Sequence, residues 1–217
     1  ATAASIEAEI AASEQADLQV LLKKNFSDEY QEMIKVAVNR RNEGASDAEF
    51  GRELYAQIQA IMRSKLKFAA AADVAAIDRL AANEIELFHA LANEGAPFCL
   101  TVLGREQNPP PGVPPDNVRR MLRLGTLYRF QAVVAGMPNF RPIEPLKPPE
   151  MVGFQAGLVA HGMTFEDVRN GAFLHQEGDA PGKACLMIER LYRTITELGD
   201  ETRRKLFSSM FFLGRDK

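Results

Sequence analysis

Four sets of residues in this chain have the types and spacing to do chemistry. The first is Glu86-Leu87-Phe88-His89, a Glu-x-x-His pair. On a helix, residues three apart share a face, so both side chains could ligate one metal ion. Di-iron carboxylate bundles use that pair twice, with two further Glu. Here it occurs once, because Leu158 stands three before His161 and Ala172 three before His175. Glu86 and His89 also lie beside Ala82 and Asn93, off the apolar stripe of Phe88 and Leu91. A solvated helix face is the expected reading.

The second set is His161, His175, Glu177 and Asp179. His175-Gln176-Glu177-Gly178-Asp179 offers oxygen and nitrogen donors in a loop. It matches neither the EF-hand nor the HExxH spacing, and a polar loop leading into a helix explains the same residues. No metal and no cofactor is expected.

The third is the cysteine pair. Cys99 and Cys185 stand 86 positions apart. They form no CxxC motif, which excludes a zinc knuckle or thioredoxin-type site. In an exported protein such a pair forms a disulfide, and in a cytosolic one both are small buried hydrophobes. Cys–His nucleophilic chemistry needs a third, orienting residue that the sequence does not identify. The pair is carried as the disulfide candidate.

The fourth is charge placed on helices. Glu84 shares its stripe with Leu80, Phe88 and Leu91. Pointing inward it would need a partner or a raised pKa. The favoured expectation is that it sits at the edge of the stripe and reaches water. Arg119, Arg120, Arg123 and Arg129 share part of one helix surface beside a Pro-rich loop, a pattern suited to an acidic partner or an anionic ligand. Residues 1–50 hold 5 basic and 10 acidic side chains, whereas residues 105–150 hold 7 basic and 4 acidic. The acidic start could therefore neutralise this surface within the same chain. No GxSxG, P-loop or GxGxxG occurs, so no common hydrolase, nucleotide or dinucleotide signature is present.

The elements that must position these residues read as helices. Of 217 residues, 46% are hydrophobic and 25% charged, as in soluble globular proteins. The first 94 residues contain no Pro and only Gly44 and Gly51. A thin stripe through Ile6 and Ile10 continues weakly to Leu18, Leu21 and Leu22. With so little apolar surface that segment is expected to pair with another copy or to fray. Phe26 to Val38 carries a second helix. Ser46 and Glu49 form a capping box for a third, and Asp73 caps a fourth that ends at Asn93-Glu94 with Gly95 as C′.

Eleven of the twelve prolines fall between Pro97 and Pro149. They mark two stiff loops around one helix, capped by Asp116 and stopped at Gly136-Met137-Pro138. Pro148 and Pro149 suit the first turn of a further helix. Thr164 opens another, Asp179 or Gly182 the next, and Asp200 caps the last. The Phe98–Leu103 run is ambiguous between strand and helix. Met210-Phe211-Phe212-Leu213 is expected to enter the core.

The sequence thus predicts an all-α, irregular bundle of eight to ten helices with Pro-rich surface loops, residues 1–217 forming a single domain. The net charge of −3 argues against nucleic acid, and no window of 18 apolar residues predicts a transmembrane span. The Ala1-Thr2-Ala3-Ala4 start fits a mature exported or periplasmic chain, or equally a cytoplasmic chain after Met removal. Three functions are open. A non-catalytic protein-interaction module, with a protein partner or as a homo-oligomer, leads. A carrier of an apolar small molecule in an inter-helix cavity follows. An enzyme using Glu84, His161 or His175 as acid–base groups is third.

Overall fold

A computed structural model describes residues 1–103, 110–140, 144–170 and 181–213, leaving aside the side chains of 168–170, 181 and 210–213. The described residues form eleven α-helices, two 3₁₀ turns and no strand. The architecture is all-α, and the count is close to the eight to ten expected. In chain order the helices are α1 (Ala3–Ala11), α2 (Ala16–Asn25), α3 (Ser27–Asn42), α4 (Asp47–Lys65), α5 (Val74–Asn93) and α6 (Ala96–Val102). They continue as α7 (Asp116–Gly136), α8 (Pro148–Ala160), α9 (Phe165–Asn170), α10 (Pro181–Glu197) and α11 (Asp200–Leu213). The 3₁₀ turns are Leu66–Ala71 and Met137–Asn139.

Local chemistry accounts for most of the boundaries. The Ser46 hydroxyl accepts from the Glu49 N–H, and the Ser46 N–H donates to the Glu49 carboxylate at 2.9 Å, closing both halves of the capping box at α4. Asp73 caps α5 by accepting from the Ala76 N–H at 2.7 Å. Thr164 accepts from the Asp167 N–H at the start of α9. Gly44, with φ +84°, ends α3: the Gly44 N–H donates to Arg41 O and the Ala45 N–H to Arg40 O. That is the pairing of a Schellman cap, which needs the left-handed backbone glycine adopts without strain.

Two expectations need correction, and one ambiguity is resolved. The N-terminal stripe breaks at Ser13–Gln15 into α1 and α2, and α1 is not left to fray: Ile6 is 1% exposed and Ile10 6%, buried against α3. Their Cβ atoms project to one side, so two side chains suffice for a nine-residue helix. Asp116 is the first helical residue of α7 rather than its cap, because Pro115 takes the cap position in extended conformation. Gly95 stands at C′ of α5 as expected, directly after the C-cap Glu94, and with a negative φ of −115° it is also the N-cap of α6, since the chain re-enters helix at once. The ambiguous Phe98–Leu103 run is helical through Val102 of α6, with Leu103 at its C-cap, and not a strand. Residues 171–180, which include His175, Glu177 and Asp179, lie outside the described residues, as do the side chains of Met210–Leu213.

Helix α5 runs through the middle, packed on α10 along one side and on α7 along another. It buries Ile77, Leu80, Leu87, Phe88 and Leu91. Helix α6 packs against both α5 and α10, and α7 also packs on the first 3₁₀ turn. That last approach is close. A Cβ placed on Gly136 would stand 1.8 Å from Phe68 O, so no other residue fits there without moving backbone. The buried side chains form a continuous cluster from Ile6 to Phe207.

Candidate functional site

Glu84 stands in the middle of α5 and is 1% exposed. The expectation that it reaches water is therefore wrong: α7 packs over that side of α5 and closes off the solvent. Its partner is Arg129 of α7, whose Nη2 donates to Glu84 Oε1 at 2.6 Å. The two ends of the pair differ in exposure. The Glu84 side chain is 2% exposed and that of Arg129 32%. Burial pushes the Glu84 carboxyl above the ordinary carboxylate range, with the Arg129 guanidinium opposing that rise. Arg129 is held further into its charged form, chiefly by Glu84.

Three neighbours fix this arrangement. Asn83 Nδ2 donates to Met121 O at 3.0 Å, pinning α5 to α7 one residue from the carboxylate. Gly125 supplies the space: a Cβ there would stand 3.1 Å from both Asn83 Nδ2 and Glu84 Oε1. Tyr192 of α10, stacked on Phe88 with centroids 5.9 Å apart, has its phenol pKa pushed up by burial and by the field of Glu84.

The pair lies at a cleft of about 560 Å³. Its walls come from α2, α4, α5, α6 and α7, and are mainly apolar: Leu18, Ile58, Leu87, Phe98, Val102 and Leu122. Arg123, one of the sequence-selected arginines, lies at the rim, where its Nη1 stands 2.6 Å from the Glu14 carboxylate. Arg123 and Arg129 thus meet at one cleft. Arg119 instead pairs with Asp116 in the first turn of its own helix, and the Arg120 side chain is exposed outside the cleft.

Cys99 and Cys185 are fully buried, with their sulfurs at bonding distance, 2.12 Å, and their Cα atoms 5.9 Å apart. The link joins α6 to α10. Because Phe98, Thr101 and Val102 of α6 line the cleft, it also anchors one cleft wall. No family model matches the chain, and comparison with curated proteins and with solved structures finds no match.

The remaining candidates stand apart from the cleft. His89 is solvent-facing and pairs with Glu189 of α10 at 3.2 Å, while Glu86 is exposed. His161, at the end of α8, reaches Glu197 at 2.9 Å and does not line the cleft. Among the described residues no cluster of three or more His, Cys, Asp or Glu could hold a metal. No described helix is long and apolar enough to cross a membrane.

Sequence reasoning missed Asn83, Gly125 and Tyr192. A glycine inside a long helix was the available signal, because it costs about 1 kcal/mol against Ala unless something needs the room. Nothing in the sequence says that the something is a carboxylate 41 positions earlier.

Proposed function

We propose that this protein binds an amphipathic small molecule, with its apolar body against the cleft walls and its polar head at the Glu84–Arg129 pair. The observation that carries this reading is the pairing of an apolar cleft of about 560 Å³ with one ion pair at its wall, its carboxylate buried and its guanidinium partly exposed. Ligand sites combine apolar walls with a few placed polar groups, in volumes of about 300–1,000 Å³. An ion pair in such surroundings is costly to keep for stability alone, since apolar replacements of similar shape do as well or better. The acid–base reading has less support, because His161 pairs with Glu197 away from Glu84.

The interaction-module reading has one observation of its own. Met151, Val152 and Val159 of α8 and Phe165 of α9 are 40%, 65%, 44% and 71% exposed. Large exposed apolar side chains grouped on neighbouring elements suit a protein surface. Sedimentation over a concentration series would show self-association through them.

The cleft reading is tested with Nile red, an uncharged apolar dye, and with Leu122→Trp, which fills the cleft. Saturable one-to-one binding by the wild type, weakened at least about tenfold in a folded Leu122→Trp protein, is the expected result. Equal binding by both proteins would place the dye elsewhere and remove this function.

A further inference from the structure

We propose that the cleft takes a monocarboxylate amphiphile, whose carboxylate replaces that of Glu84 on Arg129 while Glu84 takes up one proton. This rests on the cleft reading and names its ligand class.

The geometry sets the head group. Glu84 is shut away from water, whereas the Arg129 side chain is 32% exposed and lines the cleft. A molecule in the cleft therefore meets the more exposed guanidinium beside the buried Glu84 carboxylate. The Glu84 contact runs through a single terminal nitrogen, Nη2. A guanidinium carries five donors in a planar fork that matches a carboxylate in two-point contact. One cation holds one carboxylate here, so a singly charged head can take its place without changing the charge of the site. A phosphate monoester would bring nearly two charges to the same cation.

Keeping the site neutral then calls for the proton. If the ligand arrived as an anion and Glu84 stayed ionised, two carboxylates would share one guanidinium, one of them buried. One of two such groups is held protonated. The proton comes from solvent and goes to a Glu84 oxygen, leaving that carboxyl able to donate a hydrogen bond. No bond to carbon is made or broken. Glu84 is prepared for this, because burial already favours its neutral form.

The other titratable and charged groups facing the pair are Tyr192 from α10 and Tyr55 from α4, with Arg123 on the rim. Burial favours the neutral form of the Tyr192 phenol, and Arg123 is paired with the Glu14 carboxylate. Helices α2 and α6 bring only uncharged side chains to the cleft.

The experiment measures displacement of Nile red by decanoate and by decanol between about pH 6 and 8.5, where the probe's own carboxylate stays ionised. Decanoate affinity is expected to fall with rising pH, approaching tenfold per unit above the Glu84 pKa, since binding takes up one proton. Decanol affinity is expected to stay flat. Glu84→Gln, fixed in the neutral form, should abolish the pH dependence of decanoate. Arg129→Gln should lose about tenfold or more for decanoate and little for decanol.

Decanoate affinity that stays flat with pH in the wild type, or that falls equally in Glu84→Gln, would overturn the exchange. Decanol displacing the dye while decanoate fails at every pH would overturn the ligand class and leave the cleft reading standing. Failure of both probes in a protein that Leu122→Trp does not alter would overturn the cleft reading itself.

Discussion

At residue scale, the position of Glu84 has a consequence for stability that can be given a sign. In the unfolded chain its carboxyl returns to the ordinary value of 4.5, and in the folded protein burial holds it higher. Between those two values the folded protein keeps a proton that the unfolded chain has lost. This contribution is therefore fully present below the ordinary value and is lost as pH rises through the folded one. Urea melts of the wild type and Glu84→Gln over a pH series isolate it. The stability of the wild type relative to the variant is expected to fall as pH rises from about 4.5. A difference that is constant with pH would show that Glu84 does not titrate in this way.

Several other carboxyls act in the opposite direction and cancel in that comparison. Glu29 is held low chiefly by Lys65, and Glu150 chiefly by the Lys147 N–H and then Lys205. Their contributions are present above the ordinary carboxylate value and lost as pH falls through the depressed one. The inward placement of Glu84 was half legible in the sequence. Its stripe of Leu80, Phe88 and Leu91 put it on the core side of α5. Its partner was not legible, because Arg129 reads as one of four surface arginines until α7 is known to pack on α5.

At element scale, two glycines in helices should respond oppositely to the same change. Gly51 lies on the exposed side of α4, where an added Cβ would have nothing within 4 Å, and Gly136 lies where α7 meets Phe68 O. Gly51→Ala is expected to stabilise by about 0.5–1 kcal/mol, through helix propensity alone. Gly136→Ala is expected to destabilise by about 1–3 kcal/mol, because the added methyl must displace backbone. Denaturant midpoints at unchanged m-value measure both.

The cross-link between α6 and α10 belongs to the same scale. Replacing Cys99 and Cys185 together by Ala should cost about 4.5 kcal/mol in the chain-entropy account. It should also weaken Nile red binding, since the α6 wall loses its anchor. Unchanged dye affinity would separate the cross-link from the cleft.

Helix starts such as Ser46 and Asp73 were readable because capping is decided within three residues. The break at Ser13–Gln15 and the burial of α1 were not, because they depend on α3 offering a surface to two isoleucines.

At the scale of the whole molecule, the cleft couples ligand to folding. Five helices contribute its walls, so they must be assembled for a ligand to bind, and a ligand that binds only the folded state stabilises it. Decanol at about 100 times its dissociation constant should add about 2.7 kcal/mol to the wild type and almost nothing to Leu122→Trp. Thermal melts with and without decanol measure the difference. The all-α architecture was legible from Ala and Leu content and from helical spacing. The cleft was not, because its walls are ordinary core residues until the helices are placed around it.

The bond between Cys99 and Cys185 also closes residues 99 to 185 into a covalent ring, from which α1–α5 leave at one junction and most of α10 with α11 at the other. A protease that cuts the ring once, for instance beside Val113, which is 72% exposed, cannot divide the molecule. The nicked protein should run as one band on a denaturing gel without reductant and as two with it. Its two polypeptides would still unfold and refold as one body, with a melting temperature that does not depend on protein concentration.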